Sequence, residues 1–427
     1  MSMKKSLLAF VLITSLFFMW GLANNMTDTL LAAFKRILSL TDFQTSFVQS
    51  AFYGAYFCLA IPAALLIKKF SYKTGILIGL GLFILGSLLF YPASLTIEYS
   101  HFLIALFILA GGLSILETAA NPYILELGPP ETATQRLNLA QSFNPIGSIT
   151  GGLLSKYFIL SSLNLATGEE RSGMTSSELR EIQSSELTAV MGPYVGVAIV
   201  LFVLWILIAL TNMPKSKDTN DLHFGASVSR LLSNRNYVGA VIAQFFYVGA
   251  QIGIWSFTIR YVMVELQVNE DSAATYYIIA LVIFLVCRFI FTYVMKFVAP
   301  AKLLCILAIV AGFLTLFAIV GSGMSGVIAL MLVSGCMSLM FPTIFGLGLQ
   351  NVGEDSKLGG AGLIMAIVGG AVLTSVQGQI SDMTGSINLA FIVPLCCFII
   401  VAIYGFLAGR FTQGAVSVGS QSIKKTI

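Results

Sequence analysis

The sequence predicts an all-α, polytopic membrane protein with twelve transmembrane helices in two six-helix bundles. Three observations lead there. The 427 residues are 57% hydrophobic and only 10% charged, against about 25% charged in ordinary soluble domains. Mean hydropathy is +0.91, and apolar runs of about 20 residues, the length needed to cross a bilayer, recur from end to end. A polar linker after the sixth run divides the chain into six plus six. The runs are continuous rather than alternating, which excludes a β-barrel.

The predicted spans are 7–34, 44–68, 74–94, 101–127, 136–160, 190–213, 236–263, 272–297, 302–322, 325–350, 358–382 and 387–410. The first follows a basic head, MSMKK. Its apolar stretch runs on without a small-residue cleavage site, so it reads as a retained helix rather than a signal peptide. Residues 161–189 form a long polar loop in which a short helix is expected from Ser176. Residues 214–235 form the linker, with VSRLLSNR as a short interfacial helix. The domain division is therefore 1–213, linker 214–235, 236–410, and a polar tail 411–427.

Lys and Arg orient the chain. With the N terminus in the cytoplasm, the basic residues of the loops fall mostly inside, and both termini are inside. The basic residues form no stripe, which excludes a nucleic-acid surface. The cysteines lie in apolar runs as packing residues, and His101 and His223 lie at segment ends or in loops. Neither set suggests a metal or a catalytic triad. No nucleotide loop or nucleophile–base pair is present, so the chain is not read as an enzyme, and no cofactor is expected.

A weak internal repeat supports the two halves. SILETAANPYILELG (114–128) overlays SGCMSLMFPTIFGLG (334–348), with Ser, Pro, Ile, Leu and Gly in common. Glu117 falls opposite Met337, so the second half lacks the acid.

Two carboxylates interrupt apolar runs, Asp28 in span one and Glu117 in span four. Each costs a few kcal/mol or more at membrane depth. Burial penalises the charged form, which suits a group that loads and releases a proton. Around them the polar residues form stripes: Trp20, Asn24 and Asp28, with Asn25; Glu117 and Asn121, followed by Pro122; and Asn138, Gln141, Asn144 and Ser148. Such stripes face protein or a water-filled cavity, though amides also hydrogen-bond between helices. Span seven carries Gln244, Tyr247, Gln251 and Trp255 at three-and-four spacing, an aromatic with amides that suits a sugar; packing is the alternative for the ring. Arg288 is the deep base of the second half, either a charge partner for an acid or part of a gate. The pattern points to a carrier with a proton as co-passenger.

The stretches SLFFMWGLANNMTD, QSAFYGAYF, ETAANP, RLNLAQSFNPIG, AQFFYVGAQIGIWSFTIRY and FPTIFGLGLQNVG resemble the fucose–proton symporter family of the major facilitator superfamily. The resemblance implies alternating access by two six-helix bundles and a sugar site between them, in the inner membrane of a bacterium. It implies Asp28 and Glu117 as proton-coupling carboxylates, Glu117 close to sugar, and Asn25 and Gln141 at sugar-contact positions. Where the fucose pattern has tyrosine before the proline of span ten, this chain has Phe341. The class, a hexose or deoxyhexose, is thus implied rather than fucose itself. The expected partners are a monosaccharide and the lipid bilayer, with the chain as a monomer. A Na⁺-coupled carrier of glucose, galactose or N-acetylglucosamine is the alternative. An exporter or a sensor of the same fold is a further rival.

Overall fold

A computed structural model describes residues 3–38, 42–159, 171, 173–214 and 224–424. The regular elements among them are all helical. The chain forms two compact units, Met1–Leu127 with Phe143–Thr219, and Gly128–Ser142 with Asn220–Ile427.

In the first unit, α1 (Met3–Ile37), α2 (Asp42–Lys69), α3 (Tyr72–Thr96) and α4 (Tyr99–Glu126) correspond to the first four predicted spans. The apolar runs fix their lengths, and local chemistry fixes some of their ends. The Ser71 hydroxyl accepts the Thr74 N–H at 3.1 Å and so caps α3. Glycines then set how closely the helices approach. A Cβ on Gly112 of α4 would lie 2.6 Å from the Gly79 carbonyl of α3, so only glycine permits that crossing.

The fifth span is broken. It consists of α5 (Ala133–Gln141) and α6 (Phe143–Leu154), with a wide turn at Ser155–Ile159. Pro145 marks the break: it has no N–H for the Gln141 carbonyl four residues earlier, and it lies in the first turn of α6, where a proline fits without cost. The first unit ends with α7 (Ser176–Leu210), capped by a reciprocal Thr175–Glu178 box. The helix expected from Ser176 is there, and it runs without interruption into the sixth span.

The second unit contains the linker helix α8 (Phe224–Ser233), then α9 (Arg235–Leu266), α10 (Glu270–Val294) and α11 (Pro300–Val320). The tenth span is split into α12 (Gly323–Met337) and α13 (Met340–Gly348). Its Pro342 strips a donor from the Ser338 carbonyl in the same way. The eleventh is α14 (Ser356–Met365) and α15 (Gly369–Thr384), and the twelfth begins at the short α16 (Ile387–Ala390) and becomes α17 (Ile392–Lys424).

Among the described residues, eleven spans are long and apolar enough to cross a membrane. The fifth predicted span is not in that set; like the tenth and eleventh it is built of two helices, but it is more polar, carrying Gln135, Arg136, Asn138, Gln141 and Asn144. The linker helix is tied to the rest of its unit by Arg230, which donates to both carboxylate oxygens of Asp355 at 2.7 Å each.

Candidate functional site

The first unit carries a buried carboxylate. Glu117 lies in the middle of α4 and is 2% exposed. The Tyr56 hydroxyl of α2 donates to Glu117 Oε1 at 3.0 Å. Oε2 makes no hydrogen bond. Ser114, three residues earlier on α4, donates its hydroxyl to the Tyr56 carbonyl at 3.1 Å. The Trp20 indole of α1 lies near the Tyr56 hydroxyl without completing a hydrogen bond of standard geometry. Phe17 stacks on Trp20 at 5.8 Å, and Phe52 lies 5.2 Å from Tyr56. Asn121, one turn along α4 from Glu117, is fully buried.

Glycines position the α1 face of this cluster. Cβ atoms on Gly21 and Gly147 would lie 1.9 Å from the carbonyls of Asn144 and Phe18 respectively, so α1 and α6 touch backbone to backbone. Asn25 is half-buried against Gly152, where a Cβ would come within 3.0 Å of Asn25 Oδ1. Asp28 lies in α1, and its side chain falls outside the described residues.

The second unit carries a buried cation. Arg288 of α10 is 3% exposed. Its Nε donates to the Ser338 carbonyl and its Nη1 to the Gln141 carbonyl at 2.9 Å. These are the two carbonyls that Pro342 and Pro145 leave without a backbone donor. Each also marks the C-terminal end of a helix, α12 or α5. A helix C-terminus carries roughly half a negative charge, so two of them balance about one guanidinium. Among the described residues the bonds of Arg288 go to backbone carbonyls, and it meets no carboxylate there.

The guanidinium also lies 4.8 Å from the Phe284 ring centre. Phe284 in turn meets Trp255 edge to face at 5.1 Å, and the Trp255 indole donates to Ser334 Oγ at 3.3 Å. Trp255 and Gln251 are half-buried, while Gln244 is fully buried with neither amide atom hydrogen-bonded. Tyr247 donates to the Met337 carbonyl at 3.0 Å and lies 6.5 Å from Phe341. Asn138 of α5 donates to Thr343 at 3.1 Å and Gln135 to the Thr292 carbonyl at 3.0 Å.

The polar stripe read along span five is therefore divided at Ser142. Asn138 and Gln141 group with the second unit, and Asn144 and Ser148 with the first. The sequence reading named Trp20, Glu117, Asn121, Tyr247, Trp255 and Arg288. It missed Tyr56, Ser114, Ser334 and Ser338. The two prolines, each orphaning a carbonyl four residues back, were the available signal for Ser338.

Helical units of this kind, with polar side chains buried in apolar helices, are those of a polytopic membrane protein. The chain matches the Major Facilitator Superfamily over residues 10–368 and belongs to it. Within the family it is 42% identical over 423 residues to the L-fucose-proton symporter of Haemophilus influenzae, covering 96% of this chain and 98% of that protein. It is 34% identical over 411 residues to the glucose/galactose transporter of Brucella abortus, with 96% of both chains covered. Among solved structures it resembles FucP, a transporter of this superfamily in the outward conformation. The TM-score is 0.89 and the identity 40%, over 95% of this chain and 99% of that one.

Proposed function

We propose that this chain is a proton-coupled monosaccharide symporter that imports a hexose or deoxyhexose by alternating access. The observation that carries it is Glu117: a carboxylate buried in a span, with one oxygen held and one open, in a chain 42% identical to a sugar–proton symporter. An aqueous proton added at Oε2 neutralises the acid and turns that oxygen from acceptor to donor. This gives a sugar hydroxyl, or the bundle itself, a way to sense the proton.

The proposed coupling residues are Glu117 and Asp28. Asn25, Glu117, Asn121, Gln141, Gln251 and Trp255 are proposed to contact the sugar, with the Trp255 ring presenting its face to sugar C–H groups. Arg288 is proposed to hold the broken fifth and tenth spans in place. The proposed moving bodies are 1–213 and 236–410, joined by 214–235 and followed by the tail 411–427, with 128–142 grouping with the second body. The protein works as a monomer in a bacterial inner membrane, with both termini in the cytoplasm. A Na⁺ site would need several converging oxygen acceptors, whereas the group bonded to Glu117 is a donor, Tyr56. That favours the proton.

The test is a panel of radiolabelled monosaccharides in proteoliposomes. Uptake of at least one hexose or deoxyhexose driven by an inward proton gradient, unchanged when Na⁺ is removed, is the expected result. Accumulation that follows Na⁺ and survives a protonophore would overturn it.

A further inference from the structure

We infer that Tyr56 is a positioning residue for proton coupling: it selects which oxygen of Glu117 takes the proton. This rests on Glu117 being the coupling carboxylate.

Tyr56 is bonded to α4 at both of its ends. Its backbone carbonyl accepts from Ser114 Oγ, and its hydroxyl donates to Glu117 Oε1. Ser114 and Glu117 are three residues apart and so lie on one face of α4. Ser114 is itself fully buried, and Thr118 Oγ1 donates to the Ser114 carbonyl at 2.8 Å. The phenol therefore has little freedom to swing away from the carboxylate. Phe52 flanks the ring, and Trp20 lies beside the hydroxyl.

The direction of donation follows from chemistry. A carboxylate only accepts, so the phenol must donate, and an indole N–H can only donate as well. The phenol beside Oε1 is thus a donor. A proton placed on Oε1 would force the phenol to give up that bond and turn to accept, whereas Oε2 has no hydrogen-bond partner. The proton from the aqueous phase thus goes to Oε2 and is returned from it. The Tyr56 bond to Oε1 persists in both protonation states, because the carbonyl oxygen of a neutral carboxyl still accepts. Protonation then switches one atom, and the rest of the cluster stays fixed.

Infrared difference spectroscopy on the reconstituted full chain, between acidic and alkaline pH, reads this directly. The C=O stretch of protonated Glu117 is assigned by its disappearance in Glu117→Gln. In Tyr56→Phe, which keeps the ring and the Ser114 bond, this band moves to higher wavenumber. The pH profile of sugar exchange is displaced by about half a unit or more, a roughly threefold change in proton equilibrium. Ser114→Ala, which leaves the phenol hydroxyl in place, moves the band less than Tyr56→Phe does. Fluorotyrosine at position 56, a stronger donor of the same shape, moves it to lower wavenumber and covers the case in which Tyr56→Phe does not fold. A band and a pH profile unchanged in Tyr56→Phe, or a band unmoved by fluorotyrosine, overturn the inference. If Tyr56→Phe is normal while Glu117→Gln is uncoupled, the inference about Tyr56 alone is wrong. If Glu117→Gln is still fully coupled, the reading of Glu117 is wrong.

Discussion

Glu117 and Arg288 are buried almost equally, at 2% and 3% exposure, yet the two units treat them in opposite ways. The carboxylate receives one hydrogen bond and keeps one oxygen open. The guanidinium gives two of its N–H groups to backbone carbonyls and its face to an aromatic ring. Chemistry makes the difference. An ionised carboxylate only accepts, so Glu117 takes its bond from a side-chain donor, Tyr56, whereas a guanidinium only donates and finds carbonyls. Spans five and ten are broken at their prolines, and Arg288 repairs both.

The comparison breaks most visibly at Glu117. A proton moving down about 100 mV releases about 2.3 kcal/mol, enough for roughly 50-fold accumulation of sugar. Glu117→Gln is expected to bring the accumulation ratio in energised vesicles to about one, while exchange of labelled sugar continues. Arg288→Met should act on stability instead. Two carbonyls lose their donor at about 1–3 kcal/mol each, which a thermal melt in detergent would register as a fall of several degrees. The pH dependence of whatever transport remains should not move. Arg288→Lys recovers part of the loss, since an ammonium donates without the planar fork.

Trp255→Phe keeps a ring and loses the bond to Ser334. We expect a KM for sugar about 3–10-fold higher, from roughly 0.5–1.5 kcal/mol, with coupling intact. The smallest effect is at Thr343, which accepts from Asn138 at 3.1 Å. Thr343→Val should cost about 1 kcal/mol in unfolding, and no change in proton coupling.

Hydropathy made the fold legible, because a bilayer demands long apolar helices and little else. The carboxylate was legible for the same reason: a charged residue in such a run stands out. Tyr56 was not, since a tyrosine in a membrane helix looks like any packing aromatic until its partner is known. The partners of Arg288 were hidden differently. They are backbone carbonyls, and every residue has one. Pro145 and Pro342 mark which carbonyls are free, and only folding brings Gln141 and Ser338 to the same guanidinium. The side of span five to which Asn138 and Gln141 belong was equally out of reach, because the division falls inside one apolar run.

The most direct test follows protons and sugar together. Unbuffered proteoliposomes receive sugar outside while a pH electrode records the medium. The wild type should alkalinise it as sugar enters. Glu117→Gln should exchange labelled sugar without moving the electrode, and Arg288→Lys should still alkalinise the medium. Sugar-driven alkalinisation by Glu117→Gln, or its loss in Arg288→Lys with exchange preserved, would contradict the assignment of coupling to the carboxylate and of structure to the guanidinium.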